Sequence, residues 1–315
     1  MNKQYVIGVD LGGTKINIAI ADIKGNIVIN EIRDTEAYFG EKHIVNNILK
    51  QIEHLLRKMN ISSKDLKAIG IGAPGIIDQD KGIIIKATQL PFENFNIISP
   101  IREKYNIPIF LQNDANVAAL GEYMSEENKN CKDMIYLTIS TGIGGAAIIN
   151  GELYFGSSAN ALEVGHTVVK LDGEKCNCGN YGCLETIASG NSIEKRGNKI
   201  YEKHMKISNS NYKKITTKDV FIKAESGEEQ YRKILEEAYF YLAISLANLI
   251  VLFDPELIVI GGGVGNSSYF DLNKLSKIIF QKGFSKMHKD LKIRKSKLKG
   301  NSGVVGAVAL AIRGI

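Results

Sequence analysis

The sequence predicts an α/β protein of two domains built from a duplicated unit. Apolar stretches of strand character alternate with helical stripes along the whole chain. A strand, glycine turn, strand pattern near the N-terminus returns about 130 residues later, and a recurrence of this kind marks a repeated fold. The chain has 315 residues, 44% hydrophobic and 23% charged, which suits a globular protein of two domains.

Tyr5 to Asp10 is an apolar strand that runs into Leu11-Gly-Gly-Thr-Lys15, and Ile16 to Ile20 resumes a strand, so the segment reads as a hairpin. The Walker form, G-x4-G-K-[ST] followed by a helix, is absent. Gly12 and Gly13 let backbone N–H groups approach a phosphate closely, while Thr14 adds a hydroxyl and Lys15 a charge. Asp10 ends a buried strand, where a carboxylate can hold Mg2+ through water; the alternative is a plain glycine hairpin. Glu41 to Met59 carries apolar residues at 44, 45, 48, 52, 55, 56 and 59, a helical stripe. Leu66 to Ile71 is a strand leading into Gly70-Ile-Gly-Ala-Pro-Gly75. The glycines match G-x-G-x-x-G, but Pro74 and the residues to Ile85 read as strand and turn, which excludes a dinucleotide site.

Ile109 to Gln112 is a strand, and a helix starts near Val117. Asp114 therefore sits at a strand-to-helix junction, the usual place for catalytic side chains in open α/β sheets. The alternative is a helix N-cap. Asp133 to Ile139 is a strand ending in Ser140-Thr141-Gly142-Ile-Gly144-Gly145, and Ala146 to Ile149 resumes it. Two such hairpins in two halves can hold a nucleotide's phosphates between them. Ile187 to His204 reads as helical and Ser208 to Thr217 as a loop. Tyr231 to Phe253 is a long helix stopped by Asp254-Pro255. Leu257 to Ile260 is a buried strand ending in Gly261-Gly262-Gly263, where bare backbone suits a flat ring or ribose, or forms a simple loop. Gly303 to Ile312 is a C-terminal helix expected to pack on the first domain. No low-complexity linker separates the halves, so the domains should touch over a hinge.

Between the second hairpin and the helices lies Glu163-Val-Gly-His166, then Cys176-x-Cys178-x4-Cys183-Leu-Glu185. Three of the four cysteines fall within eight residues, with a histidine ten residues upstream. One imidazole and three thiolates complete a tetrahedral zinc set, and closed four-ligand sites are structural. The alternatives are disulfides or unconnected thiols; Cys131 lies far off and no secretory leader is apparent. Glu163 and Glu185 bracket the ligands, so a clamp here would fix two carboxylates.

The net charge is +6 with scattered lysines. The densest basic run, Lys286 to Lys299, alternates with apolar residues, which points to a solvated edge and away from a nucleic-acid partner. No run looks long enough to span a bilayer, and the chain enters its first strand directly; a cytoplasmic protein with no membrane partner is expected.

With these pieces in place, nearly the whole chain resembles the ROK family of repressors and sugar kinases. Asp10-Leu-Gly-Gly-Thr-Lys15 resembles its first phosphate hairpin, Asn113-Asp-Ala-Asn116 its catalytic segment, and Ser140 to Gly145 its second phosphate hairpin. Glu163-Val-Gly-His166 with the cysteine cluster and Glu185 resembles its zinc signature, and Gly261-Gly262-Gly263 its adenosine-side glycines. The resemblance implies a two-domain actin-like ATPase (ribonuclease H-like) fold with duplicated mixed sheets and an interdomain cleft. It divides the chain into a small domain, residues 1–116 plus 302–315, and a large one, 117–301, carrying the zinc. It implies ATP-dependent phosphorylation of a hexose 6-hydroxyl, with Mg2+, structural Zn2+ and Asp114 as base. Asn113, Glu163, His166 and Glu185 would hold sugar hydroxyls, with Gly75 and Thr88 at the rim. Asp10, Gly12, Gly13, Thr14, Lys15, Thr141, Gly142, Gly144, Gly262 and Gly263 would meet ATP. His166, Cys176, Cys178 and Cys183 would hold the metal. A homodimer is also implied.

Many glucokinases of the family carry glycines just before the glutamate, where this chain has Ala161-Leu162. Gly156 to Gly173 is also similar to the N-acetylmannosamine kinase domain of animal sialic-acid synthesis. Length and arrangement are more similar to bacterial glucokinases, which puts glucose first, then N-acetylmannosamine or N-acetylglucosamine. The family's repressors add a helix-turn-helix before the first hairpin, which here begins at residue 5, so a regulator is disfavoured. A sugar-binding pseudokinase would lack the base, and a zinc-ribbon module would not need two phosphate hairpins.

Overall fold

The computed structural model describes residues 4–87, 89–125, 131–208, 214–281, 288 and 290–315, the side chains of 204–208 excepted. The chain opens as an antiparallel meander of β1 (Tyr5–Leu11), β2 (Lys15–Asp22) and β3 (Ile27–Asp34). Helix α1 (Glu41–Met59) buries Ile44, Val45, Ile48, Ile52, Leu55 and Leu56, as its 3.6-residue stripe requires. It stops at Asn60, whose left-handed φ of 54° closes the last turn. Strand β4 (Leu66–Ala73) lies parallel to β1. The residues after Gly75 form β5 (Ile76–Asp78), β6 (Ile83–Lys86) and β7 (Glu93–Asn96), a small separate sheet. The strand-and-turn reading holds, and no helix opens at those glycines. Next come α2 (Ile98–Tyr105), β8 (Ile109–Asn113) parallel to β4, and α3 (Asp114–Tyr123).

The second half repeats the scheme with β9 (Met134–Ile139), β10 (Ile143–Ile149) and β11 (Glu152–Leu153). After a long irregular segment come α4 (Glu185–Ala188), α5 (Gly190–Ser208), α6 (Thr217–Glu225) and α7 (Glu229–Phe253). The chain ends with β12 (Leu257–Gly261), α8 (Gly262–Gly265), α9 (Leu272–Phe280), β13 (Lys292–Lys295) and α10 (Ser302–Arg313). The first sheet runs β3-β2-β1-β4-β8 and the second β11-β10-β9-β12-β13, the same order twice. In each, the last three strands are parallel. This recurrence is the duplication that the two glycine turns announced.

Two compact units result, one of residues 1–132, 146–161 and 300–315, the other of 133–145 and 162–299. The boundary expected after residue 116 falls inside α3, and the first unit runs on to Lys132. In that unit α10 packs on β1, β4 and α3. The approach is backbone to backbone: a Cβ on Gly70 would lie 2.1 Å from the Ala307 oxygen.

Some sequence expectations shift. The stretch read as one helix from Ile187 breaks at Ser189, which is extended, because the N–H groups of Gly190 and Asn191 donate to Ser140 O and Thr141 O. Part of the loop expected at 208–217, and residues 286, 287 and 289 of the basic run, lie outside the described residues. The described part of that run includes β13, an edge strand of the second sheet. Among the described residues one helix, α7, is long and apolar enough by composition to cross a membrane, contrary to the expectation of none. One face, with Ile234, Leu242, Leu246 and Ile250, is buried and packs against α4, α5, α6 and α9, while Phe240, Val251 and Leu252 are exposed.

Candidate active site and metal cluster

In the first unit the junction of β8 and α3 places Asp114 at the first helical position. The N-cap is Asn113: its Oδ1 accepts from Ala115 N at 2.9 Å. Asp114 Oδ1 accepts from the same N–H at 2.8 Å. Capping and carboxylate are thus divided between neighbours. Asn113 Nδ2 donates to Gly75 O at 3.1 Å, which brings two expected sugar-side residues together. Gly75 has φ 109°, and a Cβ there would lie 2.3 Å from Lys86 O, so only glycine fits. Thr88 lies outside the described residues.

Beneath this junction sits a polar network that sequence reasoning missed. Gln112 and Asn116 are both buried. Gln112 Oε1 accepts from Asn113 N at 2.9 Å and from Asn116 Nδ2 at 3.1 Å, and Gln112 Nε2 donates to Gln79. The available signal was a polar residue closing an otherwise apolar strand.

The first glycine turn is tight. Gly12 N donates to Lys15 O at 2.9 Å, and Thr35 ties both ends, through Thr35 N to Thr14 O at 2.9 Å and Thr35 Oγ1 to Gly12 O at 2.8 Å. Thr14 and Lys15 are exposed. Burial first, and the negative charge of Asp114 second, push the Asp10 carboxyl up to about 7. The start of α10 adjoins this carboxylate; a Cβ on Gly303 would lie 2.4 Å from it. That helix N-terminus favours the ionised form and opposes the shift. Burial also raises the Asp114 pKa, against the hydrogen bonds from Ala115 N and its own N–H. Protein crowds the Asp114 carboxylate, yet the residue as a whole is solvent-accessible, which tempers the rise. Two neighbouring carboxylates whose pKa values are both raised by burial suit a cation or a proton-accepting role.

In the second unit the glycine turn between β9 and β10 closes with Ser140 N on Gly142 O at 2.9 Å. Glu185, opening α4, accepts the Ile143 N–H on Oε2 at 2.9 Å. Glu163 is the centre of an inverse γ-turn, with φ −66°, ψ 58° and Val164 N on Leu162 O at 2.6 Å. Leu162 before it has a left-handed φ of 63°. This turn packs on the hairpin's backbone: a Cβ on Gly165 would lie 2.2 Å from Ile143 O. Thr141 is exposed, and Gly142 and Gly144 are partly so. Gly262, at φ 82°, and exposed Gly263 open α8 at the end of β12.

The ligand atoms of His166, Cys176, Cys178 and Cys183 all lie within 4.8 Å of one another. His166 Nδ1 is 3.5 Å from Cys176 Sγ, and the sulfurs of Cys178 and Cys183 are 3.7 Å apart. A disulfide would need about 2.05 Å, so all four cysteines are free thiols. Two sulfurs bound at about 2.3 Å to one tetrahedral ion stand roughly 3.8 Å apart. The donor set therefore fits a zinc-sized cation. Without such charge, burial pushes the Cys176 thiol up and that of Cys183 to about 12, while the Asn180 N–H holds Cys178 down.

The segment rests on α7. Lys170 Nζ meets Glu237 Oε1 at 3.0 Å, and Arg196 Nη2 meets the other oxygen. No local pattern announces this ion triad, because its members are 26 and 41 positions apart along the chain.

The model of the ROK family matches residues 6–314. A glucokinase of Halalkalibacterium halodurans is 32% identical over 97% of this chain and 94% of its own length. A xylose repressor of Caldicellulosiruptor bescii is also 32% identical, over 98% of this chain and 78% of its own length. Among solved structures, a ROK family glucokinase of Streptomyces griseus in complex with glucose and AMPPNP superposes with a TM-score of 0.80. It is 28% identical, covering 98% of this chain and 100% of that one.

Proposed function

Because this chain belongs to the ROK family, we propose that it is an ATP-dependent hexose kinase that phosphorylates the 6-hydroxyl, with glucose the first candidate. The observation that carries this reading is Asp114, a carboxylate at the β8–α3 junction beside a capping Asn113 and a second carboxylate, Asp10. Asp114 accepts the proton of the sugar's 6-hydroxyl; that oxygen bonds to the γ-phosphorus as the bond to the β-γ bridging oxygen breaks, and ADP leaves. Asp10 would hold Mg2+ through water, and the ion when bound neutralises charge on the phosphate oxygens. Backbone N–H groups near Gly12, Gly13, Gly142 and Gly144, with Thr14, Lys15 and Thr141, would bind the phosphates. Gly262 and Gly263 would face the adenosine.

Asn113, Glu163, His166 and Glu185 would hold the sugar's hydroxyls, with Gly75 at the rim. His166, Cys176, Cys178 and Cys183 would hold Zn2+, a clamp that stiffens the segment between the two glutamates. His166 Nδ1 is the ring nitrogen nearest a sulfur, which leaves Nε2 for a sugar hydroxyl. Support comes from the glucokinase relative and from the glucose and AMPPNP complex of the Streptomyces griseus protein. N-acetylmannosamine or N-acetylglucosamine is the alternative acceptor. The repressor relative favours a second reading, a sugar-responsive regulator.

The test offers ATP with glucose, mannose, fructose, N-acetylmannosamine and N-acetylglucosamine. Wild type should phosphorylate at least one, and Asp114→Asn should lose about 10²–10⁴-fold in kcat while still binding that sugar. A wild-type protein that binds a sugar and leaves it unphosphorylated sinks the kinase reading and supports the regulator.

A further inference from the structure

The second glycine hairpin and the two sugar-side glutamates share one backbone-packed block. We propose that Glu185 is a positioning residue that serves both substrates: Oε2 fixes the second phosphate hairpin through Ile143 N–H, while Oε1 faces the sugar. This rests on the kinase reading and assigns to Glu185 a second role, in nucleotide binding.

Three contacts argue for the link. Glu185 Oε2 accepts from Ile143 N at 2.9 Å, at the first residue of β10. Gly142, in the same turn, lies so near that a Cβ there would be 2.4 Å from that oxygen. Its lack of a side chain therefore admits the carboxylate as well as any phosphate. Along the same strand, a Cβ on Gly145 would lie 2.8 Å from Leu162 O, and one on Gly165 2.2 Å from Ile143 O. Those glycines seat the γ-turn bearing Glu163 on the hairpin. Among the described residues only one oxygen of Glu185 is hydrogen-bonded. A charged acceptor on a backbone N–H is a strong hydrogen bond, so the turn's shape depends on Glu185 even with no sugar bound. Coupling between two binding sites is reciprocal: whatever shifts the hairpin must alter sugar affinity.

The experiment measures AMPPNP affinity by calorimetry in the absence of any sugar. A residue that only touches sugar would leave this value alone. Glu185→Ala should weaken AMPPNP binding about tenfold. Glu185→Gln, whose amide oxygen can still accept from Ile143 N, should keep it near wild type while sugar affinity falls. Gly142→Ala supplies the reciprocal arm. Its Cβ must displace the Glu185 carboxylate, so affinity for the sugar that wild type accepts should fall about tenfold with no nucleotide present. Melting temperature and bound zinc equal to wild type identify variants with the block intact. Unchanged AMPPNP affinity in an intact Glu185→Ala protein overturns the proposal and leaves the kinase reading standing, as does unchanged sugar affinity in Gly142→Ala. A wild-type protein that fails to bind AMPPNP sinks both.

Discussion

The β1–β2 turn and the β9–β10 turn are built from the same chemistry, glycines with a threonine between apolar strands, yet they are braced differently. The first holds its own carboxylate, Asp10, and ties itself through the Thr35 hydroxyl and backbone. The second has no acidic residue in its turn; its carboxylate, Glu185, comes from 42 residues downstream. Its strand is packed against the segment of the cysteine cluster. A turn with a resident carboxylate is equipped to host a cation by itself. A turn that borrows one inherits the order of the lending segment. The first hairpin should thus be sensitive to charge and pH, and the second to the integrity of a distant loop.

The largest effect that sharpens this contrast is expected from Asp10→Asn. Loss of the charge proposed to hold Mg2+ should lower kcat about 10²–10³-fold, the size seen when one electrostatic stabiliser is removed. Stability should move the other way. The Asp10 carboxyl is raised to about 7 in the fold, above its unfolded value, so its ionised form is disfavoured by folding. The penalty is fully present above pH 7 and fades as pH falls toward 4. In metal-free buffer, Asp10→Asn should melt higher than wild type at pH 8, with the gap closing by pH 4.5. An equal gap at both pH values would remove the buried-carboxylate account.

The raised Asp114 pKa predicts a second, smaller pH effect. A base must be ionised, so kcat should fall on acidification with an apparent pKa above the ordinary aspartate range near 3.9. A profile flat down to pH 4.5 would show the carboxylate to be unshifted. The counterpart test on the second hairpin is Cys178→Ser or chelation. Loss of the proposed zinc clamp should raise the sugar KM about tenfold, with a smaller change in the KM for ATP. Unchanged sugar kinetics in metal-free enzyme would separate the cluster from the sugar.

These contrasts were only half legible in the sequence. Strands and helices announced themselves through period, as in α1 and in the apolar runs of β1 and β12. The cysteine cluster and Asp114 announced themselves through spacing and position. What stayed hidden depends on long-range placement. Nothing near Glu185 in sequence points to Ile143, nothing near Glu237 points to Lys170 and Arg196, and Gln112 looked like a strand residue. The break at Ser189 was hidden for the same reason, since helical pattern alone cannot show that Gly190 N–H is claimed by Ser140 O.

The smallest effect concerns Leu162, and it separates stability from specificity. Leucine at a left-handed φ of 63° costs about 1–2 kcal/mol relative to glycine. Leu162→Gly removes that strain but adds conformational freedom to the unfolded chain, a cost of roughly 0.5–1 kcal/mol. The two terms nearly cancel, so the melting temperature should move by only a few degrees. The side chain adjoins Glu163, however, and its loss opens space beside a carboxylate proposed to hold the sugar. The ratio of kcat/KM for glucose to that for N-acetylmannosamine should therefore change severalfold while stability does not. An unaltered ratio would take Leu162 out of the sugar pocket. A large drop in melting temperature with the ratio unaltered would mean that contacts of its side chain, and not the strain at its backbone, set its effect on stability.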